Sequence, residues 1–339
     1  MHVASAAGAE TALLSDPASL SWLGAGDARH LLVHEGTAVA IAADGDPQLP
    51  RSPRFARSPM SEREAVPAAL ARALSDAGVG PRDPVAVEPA QLPRALVRVL
   101  GHDTCRDVGD ALAGMRARKD DAELTLVESA ARLADTGAGA LRANLRAGLT
   151  ELELRSRVRA AVTATAGSET EARVELEVGA RGAPADMPLG RDAATADDPL
   201  LLMLSCEHDG YWAATGIAVC CERPSSALRG RHAVVWAALQ RGLRAVRPGA
   251  TTGDVDRAMR DQIVGAGLRC PHRTGYAIGR SPQEAPLLLP GGTTRLGAGA
   301  TLVLAPAGYA GEAGVRLAQT VVVATGGARP LTASPRDLA

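Results

Sequence analysis

The chain has 339 residues, 46% of them apolar and 22% charged, with a formal net charge of -1 at pH 7. That length holds two domains with sizeable cores, and the composition excludes a chain disordered throughout. The near-neutral balance gives no electrostatic ground for a nucleic acid or an anionic membrane as partner.

Lysine occurs once, at Lys119, with Arg at the other basic positions, which nearly excludes lysine Schiff-base chemistry. The five cysteines (Cys105, Cys206, Cys220, Cys221 and Cys270) show no CxxC spacing. Reduced thiols and a cytoplasmic location are the expectation. Met1 to Leu14 carries no basic segment ahead of a long apolar core, so no signal peptide is expected. No apolar run approaches the roughly 18 residues of a membrane span.

Residues 1–15 are rich in Ala and Gly and are expected to fray. Leu32, Val33 and Thr37 to Ile41 alternate as a β-hairpin closed by Asp44-Gly45, followed by a proline-rich loop from Pro47 to Pro59. Ser61 is placed to cap a helix running to Ala77, with Gly78 past its end. Val85 to Val87 reads as a strand and Gln91 to Leu100 as a helix, completing a small α/β domain over residues 16–114.

The charged stretch from Arg116 to Glu123 opens a long helix with a helical apolar stripe at Leu124, Val127, Ala131, Leu133 and Leu141. Thr150 and Glu153 form a capping box before a second helix. Leu145-Arg-Ala-Gly-Leu-Thr150-x-x-Glu153 is echoed by Val246-Arg-Pro-Gly-Ala-Thr251-x-x-Asp254. Helix, glycine turn and cap recur in the same order, which reads as a duplication. Strands are predicted at 174–178, 199–205, 212–219, 301–304 and 316–323, with helices at 226–246 and 253–266.

Several motifs now stand in a fixed order: Met115-Arg-Ala-Arg-Lys-x-x-x-Glu123, Asp209-Gly-Tyr-Trp212, Thr274-Gly-Tyr-Ala-Ile-Gly279, Glu284-Ala-Pro286, Ala305-Pro-Ala-Gly-Tyr309 and Leu331-Thr332. Together they resemble the creatinase/aminopeptidase P/methionine aminopeptidase family. The resemblance implies an α+β protein, with a creatinase-type α/β N-terminal domain at 16–114 and a pita-bread catalytic-like domain at 115–339. It also implies a homodimer.

Metallopeptidases of that family hold two metal ions with two Asp, one His and two Glu. Carried over residue by residue, these positions fall on Met203, Ala214, Tyr276, Ala305 and Ala318, and a further family His falls on Gln283. Methionine and alanine offer none of the hard oxygens that a divalent pair requires, so neither metal nor other cofactor is expected. The Gly-Tyr-x-Ile-Gly run at 275–279 resembles ectoine hydrolase-like members. Creatinase and those members imply C–N bond cleavage without metal, through His and carboxylates, although they are expected to keep Glu near positions 305 and 318.

The remaining chemistry-bearing residues cluster in the same motifs. Glu207 and His208, beside Asp209, suit acid–base work, and His272 stands beside Arg273, whose fork fits a carboxylate. For each the structural alternative is a solvated turn or an ion pair. Tyr276 is a further catalytic candidate. Trp212, Tyr211, Tyr309, Glu284 and Arg316 are candidate substrate-binding residues alongside Arg273. Cys206 and Cys270 lie near His208 and His272, with burial as small hydrophobes the alternative. The resulting expectation is a repurposed, metal-independent enzyme of the creatinase type acting on a small molecule. A non-catalytic protein that binds a ligand or partner is the alternative, and an Xaa-Pro dipeptidase ranks last.

Overall fold

The computed structural model describes residues 4, 6–23, 30–35, 37–41, 55–57, 66–168, 170–178, 199–311, 313–333 and 338. The Ser61 cap, the Asp44-Gly45 turn and most of the proline-rich loop lie outside them. The chain divides into two units, Met1–Arg116 and Ala117–Ala339.

In the first unit, β1 (Thr11–Leu14), β2 (His30–His34), β3 (Thr37–Ile41), β4 (Phe55–Arg57), β5 (Val85–Val87) and β6 (Cys105–Asp107) form one sheet. Its order is β4-β3-β2-β1-β5-β6. The expectation that residues 1–15 fray is therefore corrected: β1 pairs antiparallel with β2 and parallel with β5. The run Thr11 to Leu14 is buried throughout because it lies mid-sheet. Alternate residues serve opposite cores, Leu13 and Leu32 meeting Leu70 and Leu96 while Leu14 and Leu31 meet Leu20 and Leu112.

Helices given over described residues accompany this sheet: α1 (Pro17–Trp22), α2 (Val66–Asp76), α3 (Arg94–Leu100) and α4 (Gly109–Ala117). The single helix expected from Gln91 is instead a 3-10 turn ending there and α3, because Pro93 occupies the cap position with extended backbone. Glu88, only 4% exposed, is the hub of a polar knot. It accepts from the Ser15 and Asp16 amides at 3.2 Å each. Arg116 lies 3.6 Å from Glu88 and 3.0 Å from Asp16.

The second unit opens with α5 (Asp121–Asn144) and α6 (Glu151–Ala166). The long helix starts at Asp121 rather than Arg116, because Asp120 and Glu123 make the capping box: Glu123 N donates to Asp120 at 2.8 Å and Asp120 N to Glu123 at 2.9 Å. β7 (Ala172–Val178), β8 (Pro199–His208) and β9 (Tyr211–Cys220) follow, then α7 (Ser226–Ala245) and α8 (Thr252–Gly265). Thr150 caps α6 and Thr251 caps α8 through the same reciprocal bonds. Each cap is preceded by a glycine at positive φ, 91° at Gly148 and 85° at Gly249, where only glycine is unstrained.

Further strands follow among the described residues: β10 (Gly275–Ala277), β11 (Glu284–Leu288), β12 (Thr301–Leu304), β13 (Ala307–Ala310), β14 (Ala313–Arg316), β15 (Ala318–Ala324) and β16 (Gly327–Pro330). The main sheet runs β11-β10-β12-β15-β9-β8-β7, with β16 on β15, and β13 pairs with β14 in a separate two-stranded sheet. The strand expected at 316–323 is thus two strands in separate sheets. They part at Leu317, whose amide turns to Pro306 O at 3.2 Å. No helix among the described residues is long and apolar enough to cross a membrane.

Alternation sorts the sheet's side chains. Leu200, Leu202, Leu204, Ile217 and Val219 pack with Leu141, Leu154 and Val158 of α5 and α6. Leu302, Leu304, Val321 and Val323 pack with Val235, Leu239, Met259 and Ile263 of α7 and α8. Met203, Ala214, Val303 and Ala318 turn to the other face. There β8, β9 and β15 crowd at Gly216, which pairs with both Met203 and Ala318. A Cβ on Gly216 would stand 2.4 Å from Met203 Sδ and 2.7 Å from Ala318 N.

Gly216→Ala is accordingly expected to lower stability by about 1–3 kcal/mol, the usual cost of overpacking a close-packed core, read as a smaller urea midpoint at unchanged m-value. A second expectation concerns Asp135 on α5, whose two carboxylate oxygens accept the Ala333 amide at 3.0 and 2.9 Å. Burial pushes its carboxyl up to about 6 from 3.8. An acid whose folded pKa is raised stabilises fully below its unfolded pKa and loses that contribution as pH rises through about 6. Asp135→Asn should therefore raise Tm at pH 8, by about 2 °C after allowance for solvent screening. That gain should vanish below pH 4 in paired thermal melts.

Candidate functional site

The segment from Arg269 to Gly279 is pinned at both ends. Arg269 and Tyr309 exchange backbone bonds of 2.9 and 3.0 Å, Thr274 N donates to Leu288 O at 3.1 Å, and Ala305 N donates to Thr274 O at 2.7 Å. β10 then runs between β11 and β12, with Tyr276 opposite Leu287 and Val303. Gly275 is required by this approach, since a Cβ there would meet Val303 O at 2.3 Å.

Around Tyr276 the structure gathers five of the residues singled out in the sequence. The Arg273 guanidinium lies 5.6 Å from the Tyr276 ring centroid, and its Nη2 donates to Gln283 Oε1 at 2.6 Å. His272 meets Tyr309 edge-on, centroids 5.5 Å apart at 73°. Arg316 Nη1 stands 3.5 Å from Glu175 Oε2. Burial, then the positive charges of Arg316 and Arg273, hold the His272 imidazolium below its ordinary range, so the ring is neutral at pH 7. Burial pushes the phenols of Tyr276 and Tyr309 up, and Arg316 opposes that in both. Two guanidiniums therefore act on one group of aromatic rings.

Trp212 joins this group from β9. It packs with Met203, Ala214, Tyr276, Ile278, Val303, Ala305 and Ala318 in one buried apolar cluster, and Arg173 lies 5.1 Å over its ring. All five positions where the resemblance puts metal ligands are members of that cluster. Among the described residues, no group of three or more His, Cys, Asp or Glu is arranged to hold a metal ion.

Other candidates are committed elsewhere. Tyr211 faces away from Trp212, as neighbours in a strand must, and packs with Val127 and Ala130 of α5. Its hydroxyl donates to Glu123 Oε1 at 2.6 Å, and Arg280 lies 4.6 Å over its ring. Glu284 braces the turn: it lies 3.6 Å from Lys119 Nζ and accepts the Ser281 amide at 3.0 Å. The Lys119 and Glu284 side chains are only 1% and 7% exposed.

Glu207, the last residue but one of β8, accepts the Gly210 amide of the β8–β9 turn. His208 Nε2 is 3.8 Å from Asp209 Oδ2 and partly exposed. This turn adjoins the β10 loop through Trp212 N, which donates to Gly279 O at 2.7 Å, and through Arg280 Nη1, which donates to Asp209 O at 3.3 Å. Cys206 is buried, its thiol pushed up to about 12 by that burial. Burial likewise raises the Cys270 thiol, so neither is a ready thiolate.

Sequence reasoning missed Glu175, Asp256 and Arg260. Glu175 carried one available signal: in the alternating run Ala172–Val178 it is the polar residue between Val174 and Leu176.

The chain has relatives among known proteins. The chain is 24% identical over 234 residues to the uncharacterized peptidase YqhT of Bacillus subtilis, covering 68% of this chain and 66% of that protein. It is 26% identical over 240 residues to an Xaa-Pro dipeptidase of Lactobacillus delbrueckii, covering 70% and 65%. The match thus spans just under two thirds of these relatives. In structure, an Xaa-Pro dipeptidase from Bacillus anthracis superposes with a TM-score of 0.86 at 20% identity, over 99% of this chain and 96% of that one. The likeness shows the pita-bread fold expected from the motifs. The expectation of a repurposed, metal-independent creatinase-type enzyme is corrected by these findings, as is the low rank given to a dipeptidase: the relatives carry the names of peptidases. The profile of metallopeptidase family M24 matches residues 125–325, and the chain belongs to that family.

Proposed function

We propose that the chain acts on short peptides of the Xaa-Pro dipeptide class, with Arg273 and Arg316 receiving the peptide's carboxylate. The reading is supported by membership of the peptidase family and by the Xaa-Pro dipeptidase named among its relatives. The single observation that carries it into this site is the pair of guanidiniums, Arg273 and Arg316, beside the same two rings, His272 and Tyr276, with Arg273 5.6 Å from the Tyr276 centroid. A guanidinium fork matches a carboxylate in two parallel bonds. The apolar wall of Tyr276 and Trp212 beside it suits the flat, apolar ring of proline.

Divalent ions are implied by the family, yet the side chains of Met203, Ala214, Ala305 and Ala318 offer no oxygen and Tyr276 only a neutral phenol. These residues do not fit a pair of such ions. Binding and orientation are what the chain's own residues supply. Neutral His272 is an acceptor or donor for the peptide without adding charge.

Titration calorimetry with Xaa-Pro dipeptides and their C-terminal amides, alongside an assay of proline release with and without an added divalent cation, tests the proposal. The free acids are expected to bind and the amides to bind weakly. Arg273→Ala and Arg316→Ala should each weaken the acid about tenfold or more, the worth of one or more hydrogen bonds to a charged group. Equal binding of acid and amide, or no binding of any dipeptide at millimolar concentration, would overturn it.

A further inference from the structure

Between Arg269 and Thr274, the carbonyls of Cys270 and His272 have partners outside the strand ladders. Arg260, one turn before the C-terminal end of α8, donates from Nη1 to Cys270 O and from Nη2 to His272 O, the latter at 2.9 Å. The same guanidinium is held by Asp256, one helical turn earlier, through Nε to Oδ2 at 2.9 Å and Nη2 to Oδ1 at 2.8 Å. Asp256 is buried, its side chain 1% exposed. Its Oδ1 also accepts the Thr274 hydroxyl at 2.7 Å, just past Arg273.

One carboxylate and one planar fork thus grip the segment on both sides of Pro271 and again at Thr274. Pro271 lacks an amide proton and so offers no backbone donor to hold the segment. The segment carries His272 and Arg273, whose side chains face Tyr309 and Tyr276. A lysine could not replace this geometry, since a point-like ammonium lacks the fixed fork that meets carboxylate and two carbonyls together.

We infer that Asp256 and Arg260 are positioning residues for the His272–Arg273 turn, holding Arg273 where it meets a ligand carboxylate. The carboxylate clause rests on the peptide reading above; the positioning of the turn does not. A fixed guanidinium loses less freedom on binding than a mobile one, and a displacement of the order of 1 Å in such a group is costly.

The test uses the full chain and Arg260→Lys, with Thr274→Val as a milder variant should Arg260→Lys fail to fold. The first readout is the NMR titration of the His272 ring, assigned with His272→Gln, which needs no peptide. In the variants it is expected to move up towards the ordinary histidine value as the turn loosens and the ring gains water. The second is the Kd of the Xaa-Pro dipeptide, expected to rise about tenfold, with no further rise when Arg260→Lys is combined with Arg273→Ala. An unchanged His272 titration overturns the inference, and so does a tenfold loss that persists in the Arg273→Ala background, because Arg260 would then not act through Arg273. If no dipeptide binds the unaltered chain, the peptide reading fails and the His272 titration still decides the positioning.

Discussion

The second unit rests on the antiparallel pairing of β8 and β9, ten residues each in unbroken register from Pro199↔Cys220 to His208↔Tyr211. A period of two along both strands leaves no freedom in what each face receives. Leu202 and Leu204 are buried under α5 and α6, and Met203 between them must therefore look the other way. Every later strand of the sheet inherits that division, because Ala318 and Gln319 of β15 are registered against Gly216 and Thr215 of β9. The site occupies the face the helices leave.

On that face, small residues set the packing. Gly216 admits the Met203 thioether and the backbone of Ala318 at distances no side chain would allow. The result is a dry floor of apolar atoms under Tyr276 and Trp212, with Arg273 and Arg173 over those rings and the Arg316–Glu175 pair beside them. Stacked guanidiniums keep their in-plane donors available for hydrogen bonding.

Much of this was legible from residues alone, where the signal was local. Thr150 with Glu153 and Thr251 with Asp254 announced their caps because a capping box lies within one turn. The strands at 199–205 and 301–304 were marked by apolar runs of strand length between turns. β1 was missed because a short mid-sheet strand of Ala and Leu has no polar face to alternate with. Asp256 and Arg260 look, in sequence, like the ordinary i, i+4 pair of a solvated helix; only the fold brings the carbonyls of Cys270 and His272 to that fork. The functional expectation went astray for a related reason. Met203, Ala214, Tyr276, Ala305 and Ala318, where the resemblance puts metal ligands, bear on metal chemistry alone, and the reaction class does not follow from them.

The pairing of Lys119 with Glu284 has a practical consequence. It engages the one side-chain amine in the chain, and that amine is shut inside the second unit, 3.6 Å from its carboxylate. Acylating reagents and amine-directed crosslinkers thus find a protein whose only lysine answers when the turn at Gly279–Glu284 opens. A single mass increment on the peptide that carries Lys119 then serves as a clock for breathing of the loop beside the site, read apart from the α-amine.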